Sequence, residues 1–283
     1  MRQEHPTRMN VEQHQFLPTD SEQLYILLDG ALIDAMVFAY THDDSPVVQQ
    51  LYAGTRHSSA IEVSPCLIKP SATTRLWEAQ NEWCSYGVVV KSEASLMELA
   101  DHLRSLISVR LPSQQLAYCR YYAPEWTARL LQSFTDAELQ AFSGPIQRWS
   151  IYEPSQWLSI SVETTGLTRR SDEEGWLSLS QQQLDLFQAD EQKRFIERMA
   201  NHFSCQSAAT REGSNAREQL SQLARQAQRL GFTQEHQCTH YMELAWRFPE
   251  AIKGPELEAL LANQNLPTNE RLTQAENRLF GLA

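Results

Sequence analysis

A change of hydrophobic period divides this chain of 283 residues in two. Short apolar runs bounded by turn residues occupy residues 23–163, beginning with Leu24–Leu28 and closed by Asp29 and Gly30. Further runs of the strand type lie at 47–53, 66–68, 86–91, 108–111, 116–122, 146–152 and 157–162. Helical patterns separate them. The clearest carries Leu96, Leu99, Leu103, Leu106 and Ile107, with Ser95 and Glu98 spaced as a capping box, and Thr135 and Glu138 make a second box. The order strand 86–91, helix, strand 108–111 reads as a βαβ crossover. An α+β or α/β domain with a mixed sheet is expected over 23–163, after a loose polar arm at 1–22. Residues 164–177, polar, charged and bracketed by Gly166 and Gly175, read as a linker.

From 178 to 283 the period becomes helical and an all-α bundle is expected. Ser180 and Gln183 open a helix whose face includes Phe195, Ile196, Met199 and Phe203. Ala216, Leu220, Leu223, Ala224, Ala227 and Leu230 form a second, stopped by Gly231. A third starts at Thr233 with Tyr241, Leu244, Ala245 and Phe248 on one side. Pro255 begins a fourth, and Thr268 caps a fifth.

Charge and composition remove several function classes. With 24 basic and 35 acidic residues the net charge is −11, which repels polyanions and argues against nucleic acid and anionic membrane surfaces as partners. The five cysteines, Cys66, Cys84, Cys119, Cys205 and Cys238, form no CxxC pair and suit reduced thiols in a cytoplasmic protein. The first twenty residues lack the apolar core of a signal peptide, and the apolar stretch after Leu24 is broken by Asp29, Gly30 and Asp34, so no membrane insertion is expected.

No nucleophile elbow, phosphate loop, dinucleotide fingerprint or zincin motif is present, and no cofactor or metal is implied. His236, Cys238 and His240 resemble a metal cluster, yet at about 100° per residue they do not converge on one ion. Cys84 and Ser85 sit at a helix-to-strand junction, where a hydrolase would need His57 or His102 as base; structural filler is the better reading. The adjacent pairs Asp43-Asp44 and Glu173-Glu174 read as solvated turns. Arg110, Arg120 and Arg148 each interrupt or end an apolar run, so a partly buried arginine with a carboxylate partner such as Asp29 is expected. Trp149 reads as core, although tryptophan is also enriched at binding hot spots.

Several local motifs follow one another in order: Tyr25 to Ala31, Leu51 to Gly54, Ser64 to Leu67, Tyr86-Gly87, Leu103 to Leu106, Val109-Arg110, Tyr118 to Pro124 and Phe142 to Trp149. Together they resemble the conserved domain of type VI secretion effector chaperones, or adaptors, over about residues 23–152. That resemblance implies a non-enzymatic cytoplasmic protein that binds a cognate secreted effector and loads it onto the valine-glycine-repeat spike protein. It marks Asp29, Arg110, Arg120, Tyr122 and Trp149 as partner-binding positions, for which a fold-maintaining role is an equal explanation. The chain departs from the family pattern at Ala123, where Asp is usual before the proline, and at Tyr86, where Trp is usual before the glycine. An immunity protein that neutralises a toxin is the rival binding function, and a hydrolase using Cys84 or Ser85 the rival enzymatic one.

Overall fold

The computed structural model describes residues 9–12, 16, 18, 22–153, 156–206 and 213–281; the side chains of 9–12, 204–206 and 213–215 lie outside this description. The expected helix face at Phe203 is therefore described, whereas the Cys205 thiol is not. Two compact units emerge, residues 1–186 and 187–283.

The first unit is built on one sheet. Its strands are β1 (Met9–Glu12), β2 (Leu24–Leu28), β3 (Val47–Gln50), β4 (Cys66–Lys69), β5 (Gly87–Ser92), β8 (Ile146–Glu153) and β9 (Gln156–Ser161), in the order β1-β9-β8-β5-β2-β4-β3. Strands β6 (Ser108–Arg110) and β7 (Leu116–Tyr118) form a separate hairpin. All five residues of β2 are buried, as an uninterrupted apolar run demands of a central strand. It pairs antiparallel with β5, Leu24 opposite Lys91 and Leu28 opposite Gly87, and with β4 on its other side.

Two expectations are corrected here. The βαβ crossover is absent, because β6 leaves the main sheet and pairs antiparallel with β7. Part of the polar arm is ordered: β1 completes the sheet edge against β9, and Phe16 is buried between Trp77 and Trp157. Gln80 holds that segment in place. Its Oε1 accepts from the Phe16 amide at 2.8 Å and from Trp157 Nε1 at 3.2 Å, while its Nε2 donates to the Phe16 carbonyl at 3.3 Å.

Helices α1 (Ala35–His42), α2 (Gln80–Trp83), α3 (Leu96–Ser105), α4 (Pro124–Ser133) and α5 (Asp136–Ser143) accompany the sheet. Both predicted capping boxes form, Ser95 with Glu98 on α3 and Thr135 with Glu138 on α5. Alternation along β2 sends Ile26 and Leu28 to a core with Trp83 and Trp157, and Tyr25 and Leu27 to the opposite face. Register places Trp149 on that second face, next to Val90.

The second unit consists of α6 (Gln181–Gln206), which starts in the first unit, with α7 (Gly213–Arg229), α8 (Glu235–Arg247), α9 (Pro255–Ala262) and α10 (Thr268–Leu279). Ser180 and Gln183 exchange the expected bonds at the start of α6. Phe203, Leu220, Ala224, Ala227, Phe232, Met242, Leu272 and Ala275 meet in one core. Gly231 follows α7 with φ +88°, the left-handed geometry that ends a helix. Thr268 differs from expectation: it is the first residue of α10 rather than its cap, and its Oγ1 accepts from Gln237 Nε2 at 2.8 Å. Arg271 is buried, donating to the Leu230 and Leu261 carbonyls at 2.9 and 2.5 Å and lying over the Phe232 ring. These carbonyls belong to the ends of α7 and α9, so one guanidinium satisfies two helix termini.

Four cysteines, Cys66, Cys84, Cys119 and Cys238, are free and buried. Burial pushes the Cys66 and Cys119 thiols up to about 12 and Cys238 up to about 11. Among the described residues no helix is long and apolar enough to cross a membrane.

Candidate partner-binding site

Asp29 follows the last residue of β2, and the backbone there turns sharply. Its amide donates to the Tyr86 carbonyl at 2.8 Å, and its own carbonyl accepts from Leu32 and Ile33. Gly30 lies so close to the Ser64 carbonyl that an added Cβ would stand 2.0 Å from the oxygen, so only glycine fits. The Asp29 side chain is 1% exposed. One carboxylate oxygen accepts from the Ala31 amide at 3.0 Å, and the other accepts from an Arg120 guanidinium nitrogen.

Arg120 lies just beyond the β6–β7 hairpin, where alternate side chains turn in and out. Tyr118 is exposed, Cys119 buried, Arg120 44% exposed and Tyr121 fully buried, with the Tyr121 hydroxyl donating to the Leu103 carbonyl at 2.7 Å. The bond to Asp29 raises the Arg120 pKa further, so its charge is fixed. Tyr122 is buried beside it, its hydroxyl 3.4 Å from that of Tyr52. Burial above all, and then the Tyr52 contact, drive the Tyr122 phenol far up. Tyr122 thus stays neutral at any working pH. Asp29, Arg120 and Tyr122 form one cluster, with Tyr52 as a member that the apolar-run pattern did not reveal.

A second polar group adjoins it. His57 lies 5.5 Å from the Tyr52 ring, its Nδ1 2.9 Å from the Tyr118 hydroxyl and its Nε2 2.7 Å from Glu174 Oε1. Arg56 also reaches that oxygen at 2.9 Å. Burial works against the Glu174 charge, but bonds from Ser108, His57 and Arg56 outweigh it and hold the carboxyl below its usual range. Glu174 is therefore an anchor rather than the solvated turn residue expected; its neighbour Glu173 pairs with Arg169 at 2.7 Å. Asp43 departs from expectation in the same way. It is buried, and although burial opposes its charge, bonds from Ser71 and Ser45 keep its pKa low.

The other two family-motif positions lie elsewhere. Arg110 acts through its backbone: its amide donates to the Leu177 carbonyl at 2.7 Å and its carbonyl accepts from the Leu179 amide at 2.9 Å. Trp149 is fully buried, stacked on Phe142 with ring centroids 5.5 Å apart and donating from Nε1 to Ser143 Oγ at 3.0 Å. It holds the core and offers no surface to a partner. Arg148 is paired with Glu22 at 2.8 Å.

Three exposed side chains lie near the Asp29–Arg120 pair along the backbone. Leu32 follows the Asp29 turn, Tyr86 precedes Gly87 on the strand bonded to it, and Tyr118 lies two residues before Arg120; all three are exposed, Tyr118 with its hydroxyl on His57. Ala123, where the family has Asp, is the N-cap of α4 and makes no side-chain cap bond. The usual Asp there is a helix cap by position, so this departure concerns stability and leaves the exposed cluster intact.

The remaining candidates have other roles. His240 pairs with Glu276 at 3.2 Å, while Cys238 is packed against Met242. No group of three His, Cys, Asp or Glu side chains among the described residues is placed to hold a metal ion. Cys84 is buried, which raises its thiol pKa, and both ring nitrogens of His57 and of His102 are engaged by other groups.

Residues 24–141 match DUF4123, a domain of unknown function. The accessory protein VasW of Vibrio cholerae serotype O1 (strain ATCC 39315 / El Tor Inaba N16961) is 34% identical over 92 residues, which cover 32% of this chain and 31% of that relative. The similarity thus spans less than a third of the relative's length. No solved structure matches the chain significantly. Residues 24–141 of the first unit are thus similar to DUF4123, and the resemblance of the ordered motifs to type VI secretion effector adaptors is supported by both matches.

Proposed function

We propose that this chain is a non-enzymatic cytoplasmic adaptor that binds one cognate type VI secretion effector and loads it onto the valine-glycine-repeat spike. One observation carries the reading. Within the family-matched segment, a half-exposed Arg120 is held by the enclosed Asp29, and Leu32, Tyr86 and Tyr118, near the pair along the backbone, are exposed. Arginine and tyrosine on a rigid backbone are the side chains that dominate protein–protein hot spots. The relative named an accessory protein agrees with a role beside secreted cargo.

Co-expression with candidate effectors and spike proteins of the same organism tests this directly. The tagged chain should retain both, and Arg120→Ala combined with Tyr118→Ala should weaken retention at least about tenfold, as loss of two hot-spot residues does. Deletion of the gene should abolish delivery and leave the producer cell healthy. A producer that dies on deletion identifies an immunity protein, and a chain that retains neither protein overturns the proposal.

A further inference from the structure

The second unit contains a groove of about 390 Å³ whose apolar lining is Leu223, Leu230, Tyr241, Ala245, Ile252 and Leu261. One wall comes from α7 and the residue after it: Gln219, Leu223, Gln226 and Leu230 repeat at four, three and four residues. That spacing keeps one helical face along about 16 Å, close to three turns. Leu223 and Leu230, seven residues apart, are half-buried over a floor of the buried Tyr241, Ala245, Ile252 and Leu261. Apolar positions at i and i+7 along one groove wall match the way an amphipathic helix is received.

Its charges indicate what kind of helix. Arg229 and Lys253 line the groove, and among the described residues Glu258 is the only carboxylate that does. Among the described residues neither Arg229 nor Arg225, one turn earlier on α7, makes an ion pair. Lys253 has a single pairing, to Glu250 at 3.5 Å with both side chains exposed. Surface pairs of that kind contribute little and yield readily. In a chain of net charge −11, a groove edged by available cations is complementary to an acidic occupant.

We propose that this groove docks an amphipathic helix of a protein partner whose apolar stripe is flanked by carboxylates. The adaptor reading supplies the natural source of that helix, the cargo, but the chemistry of the groove stands without it.

The test uses the full chain and three fluorescein-labelled synthetic peptides of about 18 residues, five turns of helix. One has leucines at i, i+3, i+4 and i+7 flanked by glutamates, the second replaces every glutamate by lysine, and the third places proline at the centre of the first. Anisotropy should show the acidic helix binding at least about tenfold tighter than either control, with affinity falling as salt rises. Arg229→Glu with Lys253→Glu, both away from the core, should reverse the charge preference without changing the thermal midpoint. Equal binding of acidic and basic peptides, or unchanged binding by the double variant, overturns the proposal. Equal binding of the proline peptide overturns the helix. Sedimentation showing a dimer abolished by Leu223→Glu makes a second copy the occupant, and also overturns it. Co-purification separates the two readings: effector retained by the double variant while the peptides fail removes only the groove, and peptide binding by a chain that retains no effector removes only the adaptor role.

Discussion

A carboxylate as enclosed as that of Asp29 needs donors, and it has two: the Ala31 amide and the Arg120 guanidinium. Asp29→Asn keeps an acceptor for the amide but loses the charge that holds the arginine. We expect a loss of about 1–3 kcal/mol in chemical denaturation, the cost of leaving a buried polar partner unsatisfied, together with weakened effector retention. Ala123 invites the opposite change. Its backbone, at φ −87° and ψ 121°, already has N-cap geometry, and only the capping oxygen is missing. Ala123→Asp should stabilise the chain by about 1 kcal/mol, seen as a higher thermal midpoint. Arg271 works in the other direction, because two carbonyls depend on it. Arg271→Leu should cost about 2–4 kcal/mol, since both acceptors are then left buried without a donor.

Residues 164–179, within the first unit, form a strap held by contacts of that unit. Trp176 Nε1 donates to Ser105 Oγ at 3.0 Å, Leu177 and Leu179 are buried, and the Arg169 guanidinium lies over the Trp176 ring. A fragment ending at residue 180 should therefore unfold cooperatively near the full-length midpoint. One ending at residue 163 should unfold several degrees lower, since it loses two buried leucines and a tryptophan. The strap also contains a proton-sensitive contact. His102 Nε2 donates to the Phe142 carbonyl at 2.9 Å, and its Nδ1 accepts from the Arg169 amide at 3.1 Å, which only the neutral ring can do. Burial lowers the His102 pKa below the ordinary 6.5. The unfolded chain then binds the proton first, so stability is kept above about pH 6.5 and declines as the pH falls beneath it. His102→Gln should flatten that decline in denaturation midpoints measured from pH 7 to 5.

The strands and helices themselves were legible because their signals are local. β2, β5 and β9 followed from apolar runs, and α3, α5 and α6 from capping boxes. The partners of β6, the pairing of β1 and the anchoring of Glu174 were not, since each depends on residues far away in the sequence. Glu174 meets His57 across 117 positions, and no composition pattern marks such a contact. The Asp29–Arg120 pair was half visible: a strand-ending arginine called for a carboxylate, but only the fold selected Arg120 over Arg110 and Arg148.

At the scale of the whole molecule, the buried thiols are divided between the two units, Cys66, Cys84 and Cys119 in the first and Cys238 in the second. A thiol that is enclosed and held protonated is a poor nucleophile until its surroundings open. In a Cys205→Ser background, iodoacetamide should accordingly leave native protein almost unlabelled at neutral pH and modify it rapidly in denaturant, as read by mass spectrometry. The four sulfurs then act as built-in clocks. The rate at which Cys238 acquires its label times the breathing of the helical bundle, the rates at Cys66 and Cys119 time that of the sheet, and a difference between them would show which half lets go first.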